Sequence, residues 1–584
     1  VARAGCTIAP EMADILNQIR AMSTCPSGSD AFEAWLGNRD ALEFVAVDAS
    51  RPEIVIYAVT DHVFIHGILV PSALASPPDT DDLMLWNFNA SSSWGVSFCS
   101  SDPSSIRVSE PPGTTGSRTL DRGEQLVFAR FFEGRLEDKG YFDILQKFTH
   151  VCGLHFVREK KAYCRLDGRG DVEEVISFLS LEGKERGVNG AVITVRRDAL
   201  DEYMVLTRSA LVRTFDFTRF DASRFYGWQD APTFESKGDL FYRSVVQPGN
   251  GSYLRGCQIV RPGVTAKDVF ERYSFGRGKH AQYASFIAMD WKNKVVREIS
   301  CAPGETGNYF TESALPFETS PAFFRSEVLQ KYKADSEKYR LEARSISCRG
   351  TWHLQTYDIN EEGQVHTYLV DLRNLPYEEQ LYWKSCNEKP RGTISKRALT
   401  TDFEGRWDAS YDPLESLKQL TCELDRDRVP WWSLRSEGLI EKVHYPVTQS
   451  ADEWADELLR LDQLIVEGLE VKWLRRRAES LGRKPDAKLA SVALLGECLV
   501  GLGFDEGRTH GVVGPLRALH SLRSKLRGHA SGREAVQITS DVLSKFRSFR
   551  EHFRDLCAQC DKALGLVREA LGEGKGDPPH SPSA

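Results

Sequence analysis

Short runs rich in Val, Ile and Phe occupy the stretch from Leu42 to about Phe220: LEFVAVDA, EIVIYAVT, HVFIHGILV and QLVFARF, each bounded by Pro, Ser, Asp or Gly clusters. Runs of this length between turn formers predict strands. The segment from Ser100 to Gly123, SSDPSSIRVSEPPGTTGSRTLDRG, has the composition of an exposed loop. Helices are expected over YFDILQKFTHVCGL and over Asp171 to Leu181 (DVEEVISFLSL). From Trp228 to Tyr445 the strand pattern resumes with LFYRSVVQ, SYLRGCQIVRP, ASFIAMDW, KVVREISC, YRLEARSI, TWHLQTYDI and VHTYLVDL. A short helix from Leu375 to Glu388 is expected to pack Leu381, Tyr382 and Trp383.

The period changes at Ser450. Ser450-Ala-Asp-Glu453 has the form of a capping box, in which the serine accepts from an early N–H and the glutamate reaches back. Behind it Trp454, Leu458, Leu461, Ile465, Leu469 and Trp473 recur at helical spacing, which predicts one long amphipathic helix. Further helical segments follow to Leu571, separated by short connections, so a bundle of roughly four or five helices is expected. The tail GEGKGDPPHSPSA offers no core-forming residue and reads as disordered.

These patterns predict an α+β multidomain chain. Two strand-rich domains, at 1–227 and 228–445, precede an all-α C-terminal helical bundle at 446–572, with a tail at 573–584. A length of 584 residues is too great for a single core. A net charge of −8 argues against a chain that coats nucleic acid along its whole length, which turns attention to local basic surfaces. No apolar run is long enough for a membrane span, and the scattered charges of VARAGCTIAPEMADILNQIR do not read as a signal peptide. The odd count of 13 cysteines suggests reduced thiols in a cytoplasmic protein. Cys557 and Cys560 lack a second pair at zinc-site spacing and read as packed thiols.

One stretch changes the functional picture. Between Arg508 and Arg533 there are six Lys or Arg residues and no acidic one, with the knot of charge in LHSLRSKLRGHASG. Val512, Val513, Leu516, Leu519, Leu522 and Leu526 form the buried stripe of this helix, which leaves Arg523 and Arg527 for a partner. Lys472 to Lys484 (KWLRRRAESLGRK) is a second dense basic run. Arg523 and His529 are six steps apart, hence about 120° apart around a straight helix. Using both in one site requires a loosening at Gly528 or a second copy of the helix.

Arg523-Ser-Lys-Leu-Arg-Gly-His529, late in a helical bundle, resembles the R-x4–6-H signature of the HEPN superfamily. LRSKLRGHASG is also similar to C-terminal domains of bacterial abortive-infection and other phage-defence proteins. The resemblance implies a metal-independent endoribonuclease with a site shared across a dimer, in which Arg523 and His529 are catalytic. Ser524 stands where active members usually carry Asn, Asp or His. Ser524, Lys525, Arg527 and His520 are expected to line the RNA face.

Other motifs carry less. His62 and His66 in TDHVFIHG, read as one strand, would lie about 13 Å apart, too far for one ion. Ser274-Phe-Gly-Arg-Gly-Lys-His280 lacks the spacing of a phosphate-cradling loop. Trp352, Tyr357, Tyr368 and Trp383 read as core, with a ligand-binding sheet face as the alternative. The expected function is thus RNA cleavage in antiphage defence, without metal or cofactor and away from membranes. The expected partners are RNA, a second copy of the chain, and a phage-derived or protein trigger. The rival readings are a non-catalytic RNA-binding or dimerisation module, and a small-ligand-binding protein whose bundle drives oligomerisation.

Overall fold

The computed structural model describes residues 10–81, 95–109, 120, 122–130, 141–181, 190–275, 282–406, 411–529 and 532–572. The chain forms two compact units, 1–167 with 171–281, and 168–170 with 282–584.

The first unit is built on an antiparallel sheet of 11 strands. Its members are β1 (Glu53–Val59), β2 (Phe64–Pro71), β3 (Glu124–Gln125), β4 (His155–Val157), β5 (Ala162–Leu166), β6 (Val172–Ser180), β7 (Ala191–Arg196), β8 (Ser209–Phe220), β9 (Thr233–Lys237), β10 (Leu240–Gln247) and β11 (Gly251–Val260). The order across the sheet is β9-β10-β11-β8-β2-β1-β7-β6-β5-β4, with β3 paired to β2. Helices α1 (Pro10–Ser23) and α3 (Arg39–Asp48) pack Ile15, Ile19, Phe44 and Val45 onto Val55, Ala58, Phe215 and Phe217. Helix α4 (Arg197–Thr207) packs Leu200, Tyr203 and Met204 with Ile54, Ile56 and Ile193. Strand β1 therefore feeds two cores, which is why Ile54 to Val59 is an unbroken apolar run rather than an alternating one. Between α1 and α3 lies α2 (Ser29–Leu36). Arg213 of β8 and Asp48 of α3 form a fully buried ion pair, with Val45 O and Gln258 also accepting from the guanidinium.

Several sequence expectations change here. LEFVAVDA lies in α3, because Ala41, Phe44, Val45 and Asp48 repeat at three and four and bury one helical face. DVEEVISFLSL is strand β6, held in register by β5 on one side and β7 on the other. YFDILQKFTHVCGL splits into a strand at Tyr141–Ile144 and a short helix at Gln146–Val151. Part of the expected loop, Asp102–Ser109, pairs with Gly95–Cys99 in a hairpin. The compact division falls after 281 rather than 227. Strand β8 pairs with β11 from Leu211↔Val260 to Phe220↔Gly251, which commits the whole 233–260 hairpin to the first unit's sheet.

The second unit begins with β12 (Ser285–Asp290), β13 (Val295–Ser300), β14 (Pro321–Phe324), β15 (Asp358–Ile359), β16 (Val365–Tyr368) and β17 (Asn387–Glu388). They form a sheet of order β13-β12-β14-β16-β15, with β17 paired to β14. Its core contains Phe286, Phe324, Tyr332, Trp352, Tyr357 and Trp383. Tyr368 is buried as well. In α5 (Tyr377–Ser385) Trp383 is fully buried, whereas Leu381 faces solvent.

The helices that follow are α6 (Pro413–Arg426), α7 (Ala451–Ile465), α8 (Val471–Ser480), α9 (Ser491–Gly501), α10 (Glu506–Ser524), α11 (Gly532–Phe546) and α12 (Phe549–Gly572). One core joins them around Trp431, Trp432, Trp454, Leu461, Leu516, Phe553 and Leu564. Lys333 reaches from the strand-rich part to Glu453 (2.6 Å) and Glu457 (3.1 Å) of α7. Ser450 caps α7 by accepting from Glu453 N at 3.4 Å. The Glu453 carboxylate reaches beyond the box, accepting from Val447 N at 2.9 Å and Thr448 N at 2.8 Å. The expected long helix is two helices, α7 and α8. At the break a Cβ on Gly468 would meet Trp432 Nε1 at 2.4 Å, so the indole lies against a backbone without a side chain. Among the described residues no helix is long and apolar enough to cross a membrane. The 573–584 tail lies outside the described residues.

Candidate functional site

Helix α10 starts at Asp505, whose carboxylate accepts from Arg508 N at 2.8 Å. Val512, Val513, Leu516 and Leu519 are buried, and Leu522 and Leu526 pack partly against the same core. This is the stripe that the spacing predicts. It turns the other side of the helix toward α7 and solvent, and there His520 and Arg523 stand about 60° apart around the axis.

Both side chains reach one carboxylate. His520 Nδ1 lies 3.1 Å from Oδ1 and 3.2 Å from Oδ2 of Asp462, which has no solvent exposure. Arg523 Nε lies 3.7 Å from Asp462 Oδ2, and its Nη2 donates to Glu467 Oε1 at 3.0 Å. Burial raises the Asp462 carboxyl above its ordinary value, and the neighbouring His520 and Arg523 oppose that rise. The His520 side chain is 49% exposed and is held at Nδ1. Beneath this cluster Cys560 is fully buried, and burial followed by Asp462 pushes its thiol up to about 12. That thiol is therefore protonated and inert near neutral pH. Cys557 is packed in the same way.

The helix changes pitch directly after the site. Lys525–His529 is π-helical, so the chain does loosen around Gly528. The loosening does not align positions 523 and 529. For any turn of about 3.6 to 4.5 residues, six steps leave the two positions at least about 120° apart. The side chain of His529 lies outside the description. The structure brings Arg523 together with His520, three residues before it.

The basic knot is not bare. Lys525 Nζ lies 3.1 Å from Glu534 of α11. Arg527 pairs with Asp456 and donates to Asp452 O at 2.9 Å. The sequence stretch lacks acids, yet α7, α11 and the turn after α7 place one opposite each of Arg523, Lys525 and Arg527. Ser524 closes α10 and is half-buried.

Asp462 and Glu467 are functional candidates that the sequence pattern passed over. The signal for Asp462 is its position, one turn after Leu458 on the core-facing side of an amphipathic helix, where an acid requires a partner. His552 of the same bundle is 8% exposed and packs edge-on to Trp454 and Phe546. Burial holds it down at about 4, so it is a neutral core histidine. His66 lies buried in β2, and His62 sits in the turn before it with Nδ1 3.0 Å from Thr218 O. Residues 276–280 of the Gly-rich basic segment lie outside the described residues. Among the described residues no three His, Cys, Asp or Glu side chains converge to hold a metal ion. Comparison with protein-family models, curated proteins and solved structures finds no match.

Proposed function

We propose that this chain is an endoribonuclease of HEPN type, acting without a metal as a dimer in antiphage defence. The observation that carries the reading is Arg523: partly exposed, set beside the buried Asp462, and placed where α10 passes into the π-helical turn that ends at His529. A guanidinium so fixed can hold a phosphate and stabilise the charge that develops on it. RNA supplies the nucleophile in its 2′-OH. The 2′-oxygen bonds to phosphorus, the bond to the 5′-oxygen breaks, and one proton leaves the 2′-OH while another reaches the leaving oxygen. In this reading His529 serves as general acid or base, contributed across the dimer axis, as the angular separation from Arg523 requires.

The acids facing Arg523, Lys525 and Arg527 do not oppose this. Ion pairs at exposed positions are worth about 0–1 kcal/mol each, so a phosphate can displace Glu467, Glu534 and Asp456 at small cost while the buried Asp462 stays in place. The strand-rich parts would hold the nuclease in check until a phage-derived or protein trigger engages them. Arg523→Ala and His529→Ala are each expected to abolish RNA cleavage with the thermal melting transition retained. Unchanged cleavage by the double variant would refute the proposal.

The same pairing supports a second reading, in which the bundle binds RNA or dimerises without cutting. Salt-sensitive RNA binding with no cleavage would distinguish it.

A further inference from the structure

We propose that His520 is a catalytic residue of this reaction, the base that takes the proton from the attacking 2′-OH, with Asp462 as its positioning residue. The inference rests on the ribonuclease reading and assigns a role that the R-x5-H spacing does not. Three observations carry it. Asp462 is fully buried and, as a carboxylate, accepts from the Nδ1–H tautomer of His520 at 3.1 and 3.2 Å, the tautomer that leaves the lone pair of the neutral ring on Nε2. The side chain is 49% exposed, which leaves the ring accessible to a substrate. The third observation is that Arg523 Nε lies 3.7 Å from the same carboxylate, so the phosphate-holding group and the base flank one buried anion. No bend of the helix and no second copy is needed to bring these two together.

The step balances simply. Nε2 takes the 2′-OH proton as the 2′-oxygen bonds to phosphorus, and the imidazolium is stabilised by Asp462. The 5′-oxygen leaves with a proton from the second acid, for which His529 of another copy is the candidate. The products are a 2′,3′-cyclic phosphate and a 5′-OH. The acid on Nδ1 also explains why a carboxylate is retained in a helical core, where an isolated one is costly.

The experiment uses the full chain, a single-stranded RNA, and the same RNA with 2′-O-methyl groups as a non-cleavable binding probe. His520→Ala is expected to lower kcat by about 100-fold or more, the usual share of a general base. Affinity for the 2′-O-methyl RNA should stay within about threefold, and added imidazole should restore part of the rate. His520→Gln, whose amide can still donate to Asp462, is the folded control and is expected to be as slow as His520→Ala. Wild-type rates in either variant would overturn the role of His520 while leaving Arg523 and His529 as the site. Loss of rate that imidazole does not restore would reduce His520 to a staple between α7 and α10 and overturn its catalytic role. A wild-type chain that cleaves no RNA would overturn both this assignment and the ribonuclease reading.

Discussion

Asp462 of α7 presents both carboxylate oxygens to His520 Nδ1 of α10, at 3.1 and 3.2 Å, from a position with no solvent exposure. The contact links two helices of one core and leaves the outer edge of the imidazole in water. Asp462→Asn keeps the shape but offers an amide in place of one acceptor oxygen. The ring then loses its fixed tautomer, and cleavage is expected to fall to a rate between those of wild type and His520→Ala. Because His520 and Arg523 are both partly exposed, the stability loss should be only about 1 kcal/mol. Denaturant melts of the purified variant, alongside its cleavage rate, check both expectations.

Glu467 occupies the outer donor of Arg523. Glu467→Gln removes the competing charge and should tighten binding to 2′-O-methyl RNA. If one more phosphate is engaged, the slope of log affinity against log salt steepens by about 0.7, the single-strand value per contact. A salt titration by fluorescence anisotropy measures it. An unchanged slope would mean that Arg523 does not meet the backbone.

The turn between α7 and α8 depends on a missing side chain. Gly468→Ala places a Cβ 2.4 Å from Trp432 Nε1, and the indole is only 2% exposed. The ring cannot swing away without opening the core, so the cost is expected at about 1–3 kcal/mol in chemical denaturation. Loss of intensity or a shift in Trp fluorescence should accompany it.

Asp371, 6% exposed, is raised to about 7 by burial and then by Asp402. An acid raised on folding holds a proton that the unfolded chain releases, so its ionisation opposes the fold as pH rises from about 4 to about 7. Asp371→Asn imitates the protonated form. Its melting temperature relative to wild type should therefore increase from pH 5 to pH 8. A constant difference across that range would show that Asp371 ionises without penalty.

Much of the bundle was legible because its core repeats at three and four residues, and the stripe from Val512 to Leu519 is buried as the spacing requires. The short strands of the first unit were readable where β-branched residues cluster, as in β1 and β2. Elsewhere tertiary pairing decided the outcome. VEEVISFLS has a helix-compatible composition, yet β5 and β7 claim it as a central strand. The break at Gly468 was invisible because it depends on Trp432, 36 residues away. The site was half readable: Arg523 and His520 stand out in a basic stretch, but their acid partners come from α7 and the turn beyond it. A one-dimensional charge count therefore saw a bare cationic patch where the fold makes a paired one.

The most direct measurement is cleavage of a single-stranded RNA by the purified 584-residue chain in the presence of a metal chelator, with mass analysis of the products. The proposed chemistry predicts 2′,3′-cyclic phosphate ends, formed in chelator and lost in Arg523→Ala. Intact RNA with the wild-type chain, or cleavage that persists in Arg523→Ala, would contradict it.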